Sequence, residues 1–440
     1  MRLTHAAPDI ADSVFAAFDR RLDPHGRAPV AAAYSGGGDS LFLLLAARQW
    51  ARRHGRPLLA LHVDHQLQSQ SAAWADHARA VAAELGATFR LLEWVGDKPT
   101  TGLAAAARLA RLTLLANAAR QAGAQVILLG HTADDVRESA LMRAEGSTLG
   151  EMTEWSPSPM WPEGRDLFHF RPLLELSRET IRDGLRLAGW EWIEDPANEN
   201  HAFGRARLRA SLKSASGADW NAKALSSQST RPDHARQGLH VDSLGAIASS
   251  PAQLADDPQG LKAALVCVSG GSKLPRTHRL ERLRGLLTAG KPFTATLSGS
   301  RVEAGEAVLV CRDAGEYARA GTPGVDVAPD EPRVWDGRFE LSADKEWAVM
   351  PLKGLAGRLP RPQREALRAL PVAVRPSLPA LVNRTETVTC PLLAEVSGVR
   401  VRPLVASRLA AALGLIRTEA EAGLAAHGAG PVRVLCSGAE

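Results

Sequence analysis

The chain predicts a doubly wound α/β fold, a parallel sheet with helices on both faces, followed by smaller C-terminal α+β and β-rich domains. Three observations carry this. Between residues 29 and 143, short apolar runs alternate with helical stretches, the pattern of strands buried on both faces. A glycine-rich turn follows the first run and opens a helix. Periodicity then fails over residues 213–237, and a Pro/Gly/Asp-rich stretch spans 321–332, marking two breaks.

PVAAAY (29–34) reads as the first strand and LFLLLAARQWARR as the helix behind its turn. LLALHVDH (58–65) and SAAWADHARAVAAEL repeat the unit. FRLLEW (89–94), an Ala-rich helix over 103–122, and QVILLGH (125–131) with another helix behind it complete the series. Ser177, with Glu179 and Thr180, starts a further helix, SRETIRDGLRLAGW. These segments form a domain over 1–212. Residues 213–237 read as a linker or poorly ordered segment. A middle domain (238–320) pairs helical pieces with the hairpin ATLSGSRVEAGEAVLVCRD. The last domain (333–440) is β-rich around RVWDGRFEL and VRVRPL.

Apolar residues make up 45% of the 440 and charged residues 23%, the balance of a globular chain rather than a disordered or fibrous one. No apolar run reaches the roughly 18 residues of a membrane span. The N-terminus mixes acids into its apolar positions, unlike a signal peptide, so the expected location is the cytoplasm. Net charge is +5, and of 53 basic residues 45 are Arg and 8 Lys. Arg forks onto phosphate and stacks on bases, although a GC-rich genome yields the same bias. Cys267, Cys311, Cys390 and Cys436 are far apart, without a CxxC, so no zinc ribbon or disulfide framework is expected.

The most informative segment is Ser35-Gly36-Gly37-Gly38-Asp39-Ser40, between a buried strand and a helix. Glycines there let backbone N–H groups approach an anion, and the helix N-terminus adds positive potential. It is not a Walker A loop, because the phosphate-reaching Lys is missing. Ser269-Gly270-Gly271-Ser272-Lys273 lacks the Asp and a following helix start, and reads as a turn.

Strand, SGGxDS and helix together resemble the loop of N-type (PP-loop) ATP pyrophosphatases, which split ATP between the α and β phosphates. Within that superfamily the flanking segments resemble the bacterial tRNA(Ile)-lysidine synthetases. The segments that carry the resemblance, in family order through residue 210, are His62-Val63-Asp64-His65, then Gly102-Leu103 with Ala107, Arg108 and Arg111, then Gly130 to Asp135 with Glu138. Arg171-Pro172-Leu173-Leu174 and Asp195-Pro196-Ala197-Asn198, with Arg205, Arg207 and Arg209, close the match. The chain departs from the pattern at Gln66, Gln68, Ala104, Leu112, Ser139 and Ala206, and Ala104 leaves one family acid unfilled.

The resemblance implies a ligase that uses ATP and Mg²⁺ to replace the C2 oxygen of the wobble cytidine in an isoleucine tRNA, anticodon CAU, with the amine of L-lysine. Residues Ser35 to Ser40 would bind ATP, with His65, Arg108 and His131 as further nucleotide contacts. Asp39 and Asp134 are the metal candidates; Asp39 could instead cap its helix, and Asp134 could orient a neighbour. Asp135 and Glu138 would hold the lysine ammonium and take its proton, with Arg111 supporting charge at the reacting centre. Acids on a first helical turn are also favoured by the dipole alone, and either arginine could be a surface side chain.

Three basic clusters are candidate tRNA contacts: Arg205, Arg207 and Arg209; the run 273–291; and Arg361, Arg364 and Arg368. Each could equally be a solvated face. The first 266 residues contain no Cys, which argues against sulfur transfer, and neither zinc nor an iron-sulfur cluster is expected. Two other readings remain at this point: an amide synthetase that adenylates a small carboxylate, and a catalytically degenerate tRNA-binding homologue.

Overall fold

The computed structural model describes residues 8–145, 150–194, 238–321, 324–329 and 331–427. The expected linker, Asp195 to Asn198, Arg205, Ala206, Arg207, Arg209 and Cys436 lie outside the described residues. The chain forms two compact units, Met1–Thr230 with Arg417–His427, and Arg231–Ile416 with Gly428–Glu440.

In the first unit, α1 (Pro8–Arg21) precedes β1 (Val30–Ala33), α2 (Gly38–Arg53), β2 (Leu58–Asp64), α3 (Ser71–Glu84) and β3 (Thr88–Glu93). α4 (Leu103–Gln121), β4 (Val126–Leu128), α5 (Ala133–Ala144), β5 (Trp155–Pro157), β6 (Phe168–Phe170) and α6 (Arg178–Leu187) follow. The sheet has the order β3-β2-β1-β4-β6-β5, parallel except for β5. The expected alternation is therefore present, and the sheet continues by two strands that the sequence reading did not anticipate. Each spans three residues, too short to show a period.

Strand alternation divides the unit into two cores. Ala31, Leu59, Leu61 and Ile127 pack with Leu115, Ala116 and Ala119 of α4 on one face. On the other, Phe18 of α1 meets Trp50 of α2 and Phe170 of β6 with ring centroids 6.1 and 5.9 Å away. A late segment also belongs here. α13 (Glu419–Ala426) is capped by Thr418, whose Oγ1 accepts the Glu421 N–H. Glu419 takes both Nη groups of Arg56 at 2.6 and 2.8 Å, with side chains only 5% and 1% exposed. Such a buried bidentate pair holds its partners firmly, because losing either leaves a desolvated charge.

The second unit opens with the sheet β7-β8-β11-β10-β9: β7 (His240–Val241), β8 (Ile247–Ser249), β9 (Phe293–Leu297), β10 (Ser300–Ala304) and β11 (Val308–Arg312). The expected hairpin is there as the antiparallel meander β9-β10-β11. The helices α7 (Pro251–Asp256), α8 (Pro258–Ser269) and α9 (Thr277–Thr288) accompany it. The 269–273 segment is a turn: Gly270, at φ 69°, ends α8.

After α10 (Glu316–Ala320), two small sheets follow. One is β12 (Val325–Val327), β15 (Trp347–Pro351), β16 (Pro379–Val382) and β17 (Val388–Thr389); the other is β13 (Arg333–Trp335), β14 (Phe339–Ala343) and β18 (Val399–Pro403). The helix α11 (Arg361–Ala369) packs against the first of these through Leu367, whereas α12 (Val405–Ala412) packs with α8, its Val405 and Leu409 joining the apolar cluster of Leu261, Val302 and Val310. Leu244, Ala246 and Cys311 share one apolar cluster with Leu352, Leu378 and Cys390, so segments on both sides of 321–332 fold around common contacts. Buried Asp336 reinforces the join, bonded by Tyr317 Oη at 2.7 Å, Arg338 Nε at 2.8 Å and Arg312 Nη2 at 3.0 Å.

Candidate active site

The glycine loop leaves β1 and turns into α2 at the carboxyl edge of the sheet. Gly36 has φ 90°, and a Cβ there would lie 2.6 Å from Ile193 Cδ1; both facts require glycine. The Ile193 N–H donates to Gly36 O at 3.0 Å, and Trp192 lies where a Cβ on Gly38 would touch it. Ser40 Oγ braces the turn by accepting the Ser35 N–H at 3.2 Å and donating to Gly37 O at 2.8 Å. Gly130, after β4, lets that chain pass the loop: its added Cβ would sit 3.1 Å from Asp39 O. The first N–H groups of α2 have no intrahelical acceptor, which is the arrangement that receives phosphate oxygens.

Four acids meet at the starts of α2, α5 and α6, and one arginine joins them. Arg178 reaches Asp39 Oδ2 with Nε at 3.1 Å, Asp135 Oδ1 with Nη2 at 3.3 Å and Glu138 Oε1 with Nη1 at 3.6 Å. Its backbone N–H donates to Asp134 Oδ2 at 2.7 Å. Asp134 thus positions the start of α6. Asp135 has two duties, because its Oδ2 also accepts the N–H of Thr132 at 2.8 Å, the cap of α5. Glu138 is buried. Burial of Arg178 opposes its charge, but Asp135, Asp39 and Glu138 outweigh this and hold its pKa above the ordinary value. The Asp39 carboxyl is raised chiefly by burial, with Asp135 adding to the shift and Arg178 opposing it.

Asp39 Oδ1 is buried and meets no hydrogen-bond partner among the described residues, and it is a hard oxygen of the type Mg²⁺ selects. Among the described residues no three His, Cys, Asp or Glu converge to hold a metal by themselves. Asp39 therefore fits Mg²⁺ held by one carboxylate together with substrate phosphates, the usual division for this ion.

On the α4 face the charge is reversed. The His65 pKa is lowered by burial first and then by Arg111, and its Nδ1 has no hydrogen-bond partner among the described residues. His131, Arg111 and Arg108 all act electrostatically on buried His169. His62, the first histidine of HVDH, belongs to the core, with Nδ1 2.9 Å from Tyr34 O. The departures have visible settings. Gln66 adopts φ 54°, a left-handed conformation that favours glycine; Leu112 and Ser139 are buried; and Ala104 is exposed.

Arg361, Arg364 and Arg368 share the exposed side of α11 in the second unit, whose other side buries Gln363 and Leu367. Arg361 also pairs with Glu365 at 2.9 Å. The sequence reading gave no role to Arg178, His169 or Arg171. Position 178 followed a recognised helix start and Arg171 opened a recognised motif, yet one Arg among 45 carries no mark of its partners.

Residues 11–215 match the PP-loop domain family, the ATP-binding module whose loop is described above. Among solved structures, the U34-tRNA thiolase NcsA from Methanococcus maripaludis is similar at TM-score 0.41 and 16% identity, over 48% of this chain and 72% of that one. A tRNA(Ile)-lysidine synthase from Rhizobium meliloti is 34% identical over 74% of this chain and 76% of its own length. One from Caulobacter vibrioides is 50% identical over 93% of this chain and 98% of its own. A match of that depth takes in the second unit as well as the loop and acidic helix, and the chain belongs to the tRNA(Ile)-lysidine synthase family.

Proposed function

We propose that the chain joins L-lysine to C2 of the wobble cytidine in the CAU anticodon of an isoleucine tRNA, consuming ATP and releasing pyrophosphate and AMP. The observation that carries the reading is the acidic group Asp39, Asp135 and Glu138, set beside the glycine loop and already holding a cationic side chain, Arg178. A pocket of carboxylates next to a phosphate cradle suits an amine and a nucleotide together.

In the first step the cytidine C2 oxygen attacks the α-phosphorus of ATP and pyrophosphate leaves. The backbone donors of Ser35 to Ser40 stabilise the charge that gathers on the phosphates, and Arg111 supports it from α4. Mg²⁺, held by Asp39, would supply further electrostatic stabilisation of those phosphates. In the second step the lysine amine attacks C2 and AMP leaves with the oxygen. A free lysine amine has a pKa of about 10.4 and is protonated at neutral pH. Asp135 Oδ1 and Glu138 hold the ammonium, and Glu138 accepts the proton that the amine must lose before it attacks. Asp134 keeps Arg178 placed, while His65, Arg108 and His131 line the nucleotide side. Arg361, Arg364 and Arg368, with Arg205, Arg207 and Arg209, supply tRNA phosphate contacts.

The test is direct. Purified protein is incubated with isoleucine tRNA bearing CAU, ATP and labelled lysine. Label is expected in RNA at one per AMP released; ATP bound but unspent, with no label, would overturn the reading.

A further inference from the structure

The cationic cluster on the α4 face contains a half-buried arginine for which the reaction above has no use. In the sheet register His169 pairs with Ile127, whose side chain packs against α4, whereas Phe170 faces Phe18 on the opposite side. Arg171, two residues beyond His169, returns to the α4 face. Its guanidinium is fixed by neutral groups: Nη1 donates to Thr153 O at 2.9 Å and to Ser156 Oγ at 3.1 Å, and Nη2 lies 3.5 Å from His169 Nδ1. Its Nε has no hydrogen-bond partner among the described residues. Among the described residues no carboxylate forms an ion pair with Arg171, in contrast to Arg56 and Arg178.

The surroundings add positive charge instead. Burial, then Arg108, push the Arg171 pKa down to about 10. Burial holds His169 well below its ordinary value, and Arg171, His131, Arg111 and Arg108 push it the same way. A neutral His169 can face the guanidinium without repulsion and offer Nδ1 as an acceptor. A half-buried cation without a counter-anion is costly by itself, and the cost is relieved when a ligand brings the anion.

We propose that Arg171, oriented by His169 and flanked by Arg108, holds a phosphodiester of the substrate RNA. The phosphates of ATP already have the glycine loop, the α2 N-terminus and Arg111, so the additional cation at Arg171 suits a second polyanion. Arg is the side chain whose planar fork matches a phosphate. The proposal rests on the RNA-modifying function above. Arg171 is then an RNA-binding residue and His169 a positioning residue.

The test uses the full chain, an isoleucine tRNA transcript and a salt titration, comparing Arg171→Gln, Arg171→Lys, His169→Gln and Arg108→Gln with the unaltered protein. Arg171→Gln is expected to weaken RNA binding about tenfold or more. It should also lower the log–log salt slope by about 0.7 to 0.9, one lost phosphate contact. Arg171→Lys should keep most of the slope, because its charge survives. His169→Gln should raise KM for the tRNA with kcat and the KM for ATP little changed. The thermal midpoint reports folding; if Arg171→Gln loses it, exposed Arg108→Gln takes its place and is read by its RNA salt slope alone, because Arg108 also faces the nucleotide, with a lowered slope expected. Unaltered protein that binds no RNA would overturn the function and this site together. RNA binding and salt slope that stay unchanged in Arg171→Gln or its Arg108→Gln substitute would overturn the site alone. Weakened ATP binding with intact RNA binding would assign the anion to ATP and also overturn it.

Discussion

At the carboxyl edge of the parallel sheet, the acidic and basic groups settle their charge in different ways. Where α2, α5 and α6 begin, three carboxylates surround the Arg178 guanidinium within 3.6 Å, so much of the negative charge is cancelled internally and an excess remains. On the α4 face, among the described residues, no carboxylate pairs with Arg171, which sits with His169 and Arg108. The Arg56–Glu419 pair, away from both, shows full compensation: one guanidinium, one carboxylate, both buried. A fully compensated pair serves the fold. An excess of either sign is an unfinished arrangement, suited to an amine on one side and a polyanion on the other.

Substitutions can break this comparison at each place. The largest effect is expected from Glu138→Gln, which keeps shape and removes the carboxylate that takes the amine's proton. Lysine transfer should fall by about 10² to 10⁴, the usual range for a general base, while ATP binding survives. Labelled-lysine incorporation and ATP dialysis measure the two. Arg56→Met should strand buried Glu419 and cost about 3–5 kcal/mol in urea unfolding of the full chain. Gly36→Ala combines a left-handed φ with the Ile193 contact. About 1–3 kcal/mol and a weakened ATP affinity are expected, read by calorimetry.

Two smaller effects sharpen the comparison. Reversing Arg361, Arg364 and Arg368 together should weaken tRNA binding and flatten its salt dependence without changing ATP affinity; unchanged RNA affinity would remove α11 from the interface. The last is a pH effect. Burial lowers the pKa of His62, His65 and His169 below 6.5 in the folded chain, so below that pH the unfolded chain binds more protons and stability falls with acidity. Asp39 has the opposite sign: its raised carboxyl holds a proton the unfolded chain has lost, adding stability as pH falls toward 3.8. Urea midpoints across pH 5 to 8 should therefore drop on the acid side, and less so in His62→Asn.

The loop was legible because glycine content, a strand before it and a helix after it are local facts. The acids at 134, 135 and 138 were legible for the same reason, their spacing placing them on one helical turn. Arg178 was not, since its partners come from 139 and 43 residues upstream and no spacing rule links them. His169 and Arg171 were missed because a three-residue strand has no readable period, so nothing marked which side of a sheet they face. The segment 417–427 is a similar case: its ties to the first unit, Arg56 to Glu419, Arg21 to Arg417 O and the Asp23 N–H to Glu419, span 363 to 396 residues.

By itself, then, the sequence determined the doubly wound order, the phosphate loop and the acidic helix start, because each depends on neighbours within a turn or a strand. The tertiary structure alone decided which charges are paired. Alternation in β6 carries His169 and Arg171 to the α4 face, and the meeting of three helix starts delivers Arg178 to the carboxylates. Charge compensation depends on distances of a few ångströms between residues far apart in the chain, and a linear order does not contain them.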